Sequence, residues 1–425
     1  MTVQRLLVIS HGHPAIKPGG GENAAYALHC EVLALSHCHS IFLAAAPVSV
    51  MEAGCEVSQF DAKGNEWLMR QSDDWLQFQS ASGLNLASDQ WQWLHEFAPS
   101  VISVHQVMHV GLDFLLSLRA LFPEAKFVYT LHEFLLMCPF NGQLKTKNGG
   151  YCPGPTPSGC ASCLPFQSAR ELHFRQLRIK AFIEAVDLFI SPSTTVRDQF
   201  VRWGNGLLDV RVIPNVLPST MSDLDSGEDE VNLSHVFAFF GNCSAAKGID
   251  LILEAMLDLV RKEPRARLII HGPLAEVLQA TDDSDPYVVN VKQLLEQLGE
   301  AVILAGPYQQ SELPQLMCRI GWVVMASRWL ENAPVVIQEA LACRKPLLVP
   351  AMGGMAEHVR NGLDGFQFAP ESALSLSSLM ALVCQETDLW TKLRSTLAAP
   401  LSPENALEQH LKLFGWSSGF TDETN

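Results

Sequence analysis

Two glutamates with seven residues between them are the first candidates for chemistry. Proline is favoured in the first turn of a helix, so Pro334 places Glu331 on a loop and Glu339 on the helix that follows. A helix N-terminus carries unpaired amide groups and the positive end of the helix dipole, and it binds anions. The spacing therefore predicts that backbone amides hold phosphate while carboxylates hold hydroxyl groups. The intervening segment begins with Asn332, Ala333, Pro334, Val335 and Val336.

Two further candidates lie where predicted strands end. Lys247 and Gly248 close the loop that follows the apolar strand predicted at residues 236–240. A lysine there can contact a phosphate at the carboxyl edge of a parallel sheet, where doubly wound folds bind ligands. His132 closes the strand predicted at residues 127–131, although an isolated histidine is more often structural. We interpret both as site residues.

A run of three glycines follows the first predicted strand. Gly19, Gly20 and Gly21 precede Glu22 at the start of a predicted helix. The run is not a Gly-x-Gly-x-x-Gly fingerprint, and no Lys-Ser or Lys-Thr of a P-loop follows it. By itself it is either a flexible turn or a loop that lets a ligand approach the backbone closely.

Cysteines are scattered except for one cluster, Cys138, Cys152, Cys160 and Cys163. The last two form a C-x2-C pair, the spacing that binds zinc, and the first two lie upstream among Gly and Pro. A structural zinc, reduced buried thiols and a disulfide all remain open. Four thiolates would leave no open coordination position, so zinc here would not be catalytic. Scattered cysteines suit a reducing cytosol.

Residues 145–180 form a basic stretch with Glu171 as its only acid. An ordinary solvated helix face is one interpretation, and contact with a lipid-diphosphate acceptor or with lipid headgroups is the other. Its cations are Lys145, Lys147, Arg170, Arg175, Arg178 and Lys180.

The composition excludes several classes of protein. The 425 residues are 48% hydrophobic and 17% charged, which is typical of folded domains and not of disordered or fibrous chains. With 29 Lys+Arg against 45 Asp+Glu, the net charge of −16 argues against nucleic-acid binding. No apolar run reaches the roughly 18–20 residues that span a bilayer. The N-terminus is typical of a buried strand, not a signal peptide. We expect a cytoplasmic protein, with at most a peripheral position at the inner face of the membrane.

Strand and helix alternate along both halves of the chain, which predicts two doubly wound α/β domains with parallel sheets. Trp67, Trp75, Trp91 and Trp93 lie in a stretch without a regular pattern, where they are either packing residues or a platform for a sugar or lipid. The acidic segment 219–235 is the best linker candidate. Residues 402–414 read as a capped helix. Predicted strands are 6–10, 40–45, 101–105, 126–131, 182–190 and 210–213, then 236–240, 266–271, 302–305, 322–325 and 346–349.

These features together resemble family 4 of the retaining glycosyltransferases, which have the GT-B fold. The resemblance runs from Leu6 to about Phe368. Residues 239–248 look like the family's glycine loop with its lysine, and residues 331–339 look like its Glu-x7-Glu motif. Residues 19–22 look like the donor-facing loop, and residues 129–134 look like the mid-domain histidine segment. A cysteine-rich insertion like the one at about residues 138–165 occurs in a subset of these enzymes.

The resemblance implies a fold, a domain plan and a set of ligands. The fold would be GT-B, with two Rossmann-like domains and a cleft between them. Residues 1–218 would form the acceptor-side domain and residues 236–400 the nucleotide-sugar domain, while the helix in residues 401–425 would pack back on the first domain. The donor would be a UDP-, GDP- or ADP-sugar. No Asp-x-Asp pair stands among the motif residues named above to mark a divalent-metal clamp for the donor, so no catalytic divalent metal is expected.

The resemblance also implies roles for individual residues. Glu339 would bind ribose hydroxyls, Glu331 would contact the donor sugar, and His132 would lie over its reactive face. Lys247 would stabilise the leaving diphosphate. Asn242 stands where the family usually has an arginine, and Arg328 is the cation that could replace it. The remaining predicted donor-binding residues are Gly20, Gly21, Gly241, Asn332, Ala333, Pro334, Val335 and Val336.

The expected function is that of a retaining glycosyltransferase acting on a glycan, lipid-linked or protein acceptor. Two alternatives remain. One is a non-catalytic subunit that binds a sugar nucleotide within a transferase assembly. This alternative stays open because Asn242 stands in place of the family's usual arginine. The other is a GT-B nucleotide-sugar epimerase, although no dedicated carboxylate pair for it is evident in the first domain.

Overall fold

A computed structural model describes residues 3–216, 233–397 and 402–416. The chain divides into two compact units. The first unit comprises Met1–Pro218 together with Leu401–Asn425, and the second comprises Ser219–Pro400. Most of the predicted linker at residues 219–235 falls outside the described residues.

The first unit contains an eight-stranded sheet with the order β3-β4-β2-β1-β5-β6-β7-β8. All neighbouring strands are parallel except β3 and β4, which are antiparallel. The strand order reverses at β1, which pairs with both β2 and β5. Ligands of doubly wound folds bind at such a reversal. The strands are β1 Gln4–Ser10, β2 Cys38–Ala46, β3 Val57–Gln59, β4 Glu66–Arg70, β5 Val101–Val104, β6 Lys126–Thr130, β7 Leu188–Ser191 and β8 Val210–Val212.

Helices cover the first sheet and complete its core. Strand β1 is buried over five consecutive residues, which is typical of a parallel strand covered on both faces. Leu407 and Leu411 of the last helix lie in the same apolar cluster as Leu6 and Leu28. The described C-terminal helix therefore packs within the first unit. The helices are α1 Gly20–Leu33, α2 Gln92–Phe97, α3 Leu112–Leu121, α4 Pro157–Cys163, α5 Ala169–Ala185, α6 Thr194–Trp203 and α15 Pro403–Phe414.

The second unit contains a six-stranded sheet with the order β11-β10-β9-β12-β13-β14, and all of its strand pairs are parallel. Side chains alternate between the two faces of β9. Phe237 and Phe239 lie in one apolar cluster, whereas Ala238 and Phe240 lie in another. The sheet is therefore buried on both faces. Its strands are β9 Val236–Phe240, β10 Arg267–His271, β11 Val302–Leu304, β12 Trp322–Val324, β13 Leu347–Pro350 and β14 Gly365–Phe368.

The helices of the second unit flank this sheet. Helix α7 has the clearest sequence signature, because its apolar residues recur at helical spacing and are buried. The helices are α7 Ile249–Lys262, α8 Leu274–Ala280, α9 Pro286–Leu298, α10 Leu313–Cys318, α11 Val335–Ala342, α12 Gly353–His358, α13 Ala373–Gln385 and α14 Thr387–Thr396.

The predicted fold class, two α/β domains with doubly wound parallel sheets, is confirmed. The strand predicted at residues 182–190 is wrong at its start, because residues 182–185 belong to α5 and β7 begins at Leu188. Three strands were not predicted. Strands β3 and β4 form an edge of the first sheet within the stretch that shows no regular pattern, and β14 forms an edge of the second. These three strands are short and only partly buried, so their sequences lack the continuous apolar run that identifies a central parallel strand.

Candidate functional site

In the second unit, the loop after β9 carries Lys247 on a short 3₁₀ turn, Ala245–Lys247. Gly248 ends this turn and caps α7 with a φ of +71°. A side chain at Gly248 would also meet the carbonyl oxygen of Ala326, since its Cβ would lie 2.1 Å away. Left-handed backbone and close approach both require glycine here. Gly241, at the start of the loop, also has a positive φ.

Lys247 and Glu331 form an ion pair in this unit. Lys247 Nζ donates to Glu331 Oε1 at 2.6 Å, and the Ser327 hydroxyl donates to the same oxygen at 2.6 Å. The lysine ammonium also lies 5.7 Å from the centre of the Trp329 ring. Glu331 and Ser327 are buried, whereas Lys247 keeps part of its side chain exposed. The predicted lysine and the first glutamate, 84 residues apart, are therefore in direct contact.

Arg328 holds the turn that carries Lys247. Its guanidinium donates to both carboxylate oxygens of Asp250, at 2.7 and 2.8 Å, and also to the carbonyl oxygen of Ala245 at 2.7 Å. Its backbone amide donates to the carbonyl oxygen of Ala246. Hydrogen bonding to Asp250 keeps the pKa of Arg328 above its ordinary value. The guanidinium of Arg328 is therefore engaged within the protein, and Asp250 accepts hydrogen bonds from both of its terminal nitrogens.

The loop of Glu331 and Asn332 is packed directly against the start of α12. The amide of Gly354 donates to the carbonyl oxygen of Glu331 at 2.7 Å. A Cβ at Gly354 would lie 1.2 Å from the carbonyl oxygen of Asn332, and Gly353 has a φ of +58°. Helix α11 begins at Val335, just beyond Pro334. The two glycines therefore let the Glu331 loop lie close to α12.

Glu339 is buried on α11, and its carboxylate accepts a hydrogen bond from the Gln310 side-chain amide. Burial raises the pKa of Glu339 to about 7, and the hydrogen bond from Gln310 opposes that rise. Nearby rings at the ends of β9 and β10 pack together: Phe240 stacks on His271 with centroids 4.6 Å apart, and Tyr308 meets both edge-on. Gln310 was not predicted from the sequence, because it lies on a short 3₁₀ turn, 29 residues from Glu339.

In the first unit, His132 lies just beyond β6 and contacts His105. Its Nε2 lies 2.9 Å from Nδ1 of His105, which follows β5. Beside it, His11 pairs with Glu22 at 3.0 Å. The backbone of Gly21 runs alongside, since a Cβ there would lie 3.7 Å from the His132 ring and 3.8 Å from His11. Gly21 and His132, which were predicted separately, are therefore neighbours.

Burial lowers the pKa of two histidines of this cluster, His132 and His105. It lowers the pKa of His132 to about 4, with His11 adding to the effect and Glu22 opposing it. Burial also lowers the pKa of His105 well below its ordinary value, and His132 and His410 add to that effect. For Glu22, burial alone would raise the pKa, but the hydrogen bond and charge of His11 outweigh it and lower the pKa.

Sequence reasoning did not single out His11 or Ser103. His11 directly follows β1, and Ser103 lies within β5. Their position in the chain could have identified them as candidates. Each is a polar residue at or near the carboxyl end of a buried strand, at the edge where doubly wound sheets bind ligands. That signal becomes useful only when the strand order is known.

The four clustered cysteines are free thiols. Burial raises the pKa of Cys138, and Cys152 adds to that rise; burial also raises the pKa of Cys160 to about 11, with Cys138 and Cys152 adding to it. Within residues 3–216, 233–397 and 402–416, no group of three or more His, Cys, Asp or Glu side chains is arranged to hold a metal ion. Zinc binding by Cys138, Cys152, Cys160 and Cys163 remains a prediction.

The basic stretch is only partly a solvated face. Arg175 is buried and donates to the carbonyl oxygens of Leu135 and Leu136. Arg178 is held by the Gln77 carbonyl and by Asp113. The outer face of α5 exposes Arg170, Phe174, Leu177 and Lys180. Among the described residues no helix is long and apolar enough to cross a bilayer.

Residues 227–397 match the family model described as "Glycosyl transferases group 1". D-inositol 3-phosphate glycosyltransferase of Mycobacterium marinum is 31% identical over 133 residues, covering 31% of this chain and 26% of that protein. Lipopolysaccharide 1,2-N-acetylglucosaminetransferase of Salmonella typhimurium is 26% identical over 149 residues, covering 34% and 38% respectively. The matches thus span well under half the length of these relatives.

Solved structures match over nearly the whole chain. Anabaena HepE in complex with UDP-glucose has a TM-score of 0.63 and 17% identity, covering 97% of this chain and 99% of that one. Sucrose-phosphate synthase from Thermosynechococcus elongatus has a TM-score of 0.69 and 17% identity, covering 97% and 98%. At this identity the likeness shows the fold. The chain thus has the GT-B glycosyltransferase fold, and the part of it that contains Lys247, Glu331 and Glu339 carries the sequence pattern of the group 1 glycosyl transferases.

Proposed function

We propose that the protein is a retaining glycosyltransferase that moves a sugar from a nucleotide-sugar donor to a glycan, glycolipid or protein acceptor. The observation that carries this proposal is the contact between Lys247 and Glu331 inside the segment matched by the group 1 family model. This contact joins a cation to a carboxylate beside the start of α11.

Lys247 is the group proposed to stabilise the leaving diphosphate. Sugar transfer from a nucleotide donor develops positive charge on the sugar ring and negative charge on the departing phosphate. The partly exposed ammonium of Lys247 and the backbone amides at the start of α11 are suited to stabilise the negative charge on the phosphate. A single preorganised donor of this kind is worth about 3 kcal/mol. The phosphate would then compete with Glu331 for the lysine and free the carboxylate for a sugar hydroxyl.

Glu339 is proposed to bind the ribose of the donor. Its carboxylate is buried and oriented by Gln310, so it is preorganised as an acceptor for paired hydroxyl groups. The aromatic cluster of Phe240, His271 and Tyr308 lies at the same edge of the sheet and supports a neighbouring site for the base. Solved structures of HepE contain UDP and UDP-glucose, which favours a UDP-sugar over GDP- and ADP-sugars as the first donor to test.

Arg328 is proposed to act on the donor indirectly. Asn242 occupies the position where the family usually has an arginine, and the sequence suggested Arg328 as the second cation for the diphosphate. Its bidentate pair with Asp250 and its bond to Ala245 favour a positioning role for the Lys247 turn. Lys247 and the backbone amides would then supply the positive charge.

Ligand binding and turnover test this proposal. Unfolding temperatures are measured with UDP-, GDP- and ADP-sugars, because a ligand that binds only the folded state raises its stability. The sugar nucleotide that stabilises most is then assayed for hydrolysis and for transfer to oligosaccharide and lipid-linked acceptors. Transfer with retained anomeric configuration supports the proposal. Binding without transfer, together with full activity of a Glu331→Ala variant within its transferase assembly, would support the non-catalytic alternative.

A further inference from the structure

A row of three hydrogen-bonded side chains leads from the interior of the first sheet to His132. Ser103 Oγ lies 3.3 Å from His105 Nε2, and His105 Nδ1 lies 2.9 Å from His132 Nε2. Ser103 and His105 are buried, whereas His132 is partly exposed. The row therefore connects a buried hydroxyl to the proposed site residue of this unit.

The direction of each hydrogen bond in the row follows from the buried hydroxyl. A neutral imidazole has one N–H group, so a bond accepted at one nitrogen places the proton on the other. Among the residues that the structure describes, Ser103 Oγ has one hydrogen-bond partner, His105 Nε2. A buried donor without an acceptor destabilises the folded protein, because the hydroxyl has lost its hydrogen bonds to water. Ser103 therefore donates to His105 Nε2, and His105 keeps its proton on Nδ1.

The second bond then fixes the proton of His132. His105 Nδ1–H donates to His132 Nε2, which leaves the proton of His132 on Nδ1. The reverse direction would point His105 Nε2–H at Ser103 and leave the buried hydroxyl without an acceptor. In the described part of the chain His132 has no other hydrogen bond, so its Nδ1–H remains available.

We propose that Ser103 and His105 are positioning residues that hold His132 as the Nδ1–H tautomer, so that His132 donates a hydrogen bond to a hydroxyl of the bound sugar. The role toward sugar rests on the proposed function, whereas the tautomer does not. The charged and titratable neighbours of His132 are His11, Glu22 and the more distant His410 of α15. In this role His132 is a donor and not a general base.

The tautomer can be measured directly in the full-length protein. Histidine ring nitrogens are labelled with ¹⁵N, and long-range proton–nitrogen spectra are recorded at pH 7.5. The His132 signals are identified by their loss in His132→Gln. The expected spectrum shows a protonated Nδ1 and an unprotonated Nε2 for His132. A proton on Nε2 of His132 in the unaltered protein would overturn the proposal.

Substitutions at His105 test the cause. In His105→Leu the donor is lost, and His132 is expected to show an average of both tautomers. In His105→Asn the amide N–H replaces Nδ1–H, and the Nδ1–H tautomer of His132 is expected to persist. Ser103→Ala removes only a hydroxyl group. If His105→Leu does not fold, this variant tests whether the row of hydrogen bonds fixes the tautomer of His132. An unchanged His132 spectrum in both His105→Leu and Ser103→Ala would refute the relay.

Activity separates this inference from the proposed function. With UDP-glucose as the probe, His105→Leu should lower kcat with little change in KM, by about 10- to 100-fold if the loss is like that caused by removing the hydrogen-bond partner of a metal-bound histidine. His105→Asn should restore most of that loss. If the unaltered protein turns over no sugar nucleotide, the proposed function fails while the tautomer result stands.

Discussion

At the scale of single residues, the candidate site depends on charged groups held in place before a ligand arrives. Glu331 receives hydrogen bonds from Lys247 and Ser327, and Glu339 receives one from Gln310. A carboxylate that is already oriented loses little freedom on binding, and a partly exposed ammonium beside it can move to a phosphate. Two predictions belong to this scale.

Lys247→Ala should lower turnover of the best donor by about 100-fold or more, because one preorganised donor to the leaving phosphate is lost. Steady-state kinetics with saturating donor measure the effect. Lys262→Ala is the matched control, since Lys262 lies in the same unit and its side chain is half exposed on α7. A near-normal kcat for a folded Lys247→Ala protein would remove this lysine from the site.

Glu339→Gln should change how stability depends on pH. Burial raises the folded-state pKa of Glu339 to about 7, against 4.5 for an ordinary carboxyl group. The unfolded chain therefore releases this proton at lower pH, and wild-type stability falls as pH rises from about 4.5 to 7. The variant has no carboxyl group to titrate at this position, so its free energy of unfolding relative to wild type should rise by about 1–3 kcal/mol between pH 5 and pH 8. Urea unfolding at both pH values measures it, and a constant difference would argue against the raised pKa.

At the scale of secondary-structure elements, glycines decide how closely neighbouring segments pack around the site. Gly248 lets the start of α7 meet the chain at Ala326, and Gly354 lets α12 meet the loop of Glu331 and Asn332. These contacts are backbone to backbone, so a side chain cannot be accommodated by a change of rotamer. The loop positions in the second unit are therefore set by the absence of Cβ atoms.

Gly354→Ala should destabilise the protein by about 2–4 kcal/mol and weaken donor binding, because its Cβ would lie 1.2 Å from the Asn332 carbonyl oxygen. Chemical unfolding and calorimetric titration with UDP measure the two effects. Gly150→Ala is the control, since its Cβ would meet nothing closer than 3.6 Å. Equal stability of the two variants would show that the loop and α12 separate at little cost.

At the scale of the whole molecule, the chain consists of two units with different proposed tasks. The segment matched by the group 1 family model covers most of the second unit, and the histidine cluster belongs to the first. A nucleoside diphosphate without a sugar should therefore be bound by the second unit.

Hydrogen exchange of the full chain with and without UDP tests this division. Protection is expected in residues 241–250, 308–312 and 327–340, because these segments carry the proposed diphosphate, ribose and sugar contacts. Strands β3 and β4 of the first unit serve as the internal control and should exchange at unchanged rates. Protection confined to the first unit would contradict the assignment of the donor site.

The sequence predicted the central strands of both sheets and the edge strands β8 and β11, but it missed β3, β4 and β14. Continuous apolar runs identified β1 and β9, since a parallel strand covered on both faces must be apolar throughout. Strand β4 escaped prediction because it lies next to the edge of the sheet and only its central residues are fully buried. Helix α11 was predicted from Pro334, a local signal that needs no tertiary information.

The sequence by itself determined the fold class, the glycine loop and the spacing of Glu331 and Glu339, because periodicity and short motifs are local properties of a chain. Only the tertiary structure decided which charges are engaged. Arg328 is held by Asp250, 78 residues away, and His132 is joined to His105, 27 residues away. Such partners meet because strand order brings distant strand ends to one edge of a sheet, and strand order is not written in any local pattern.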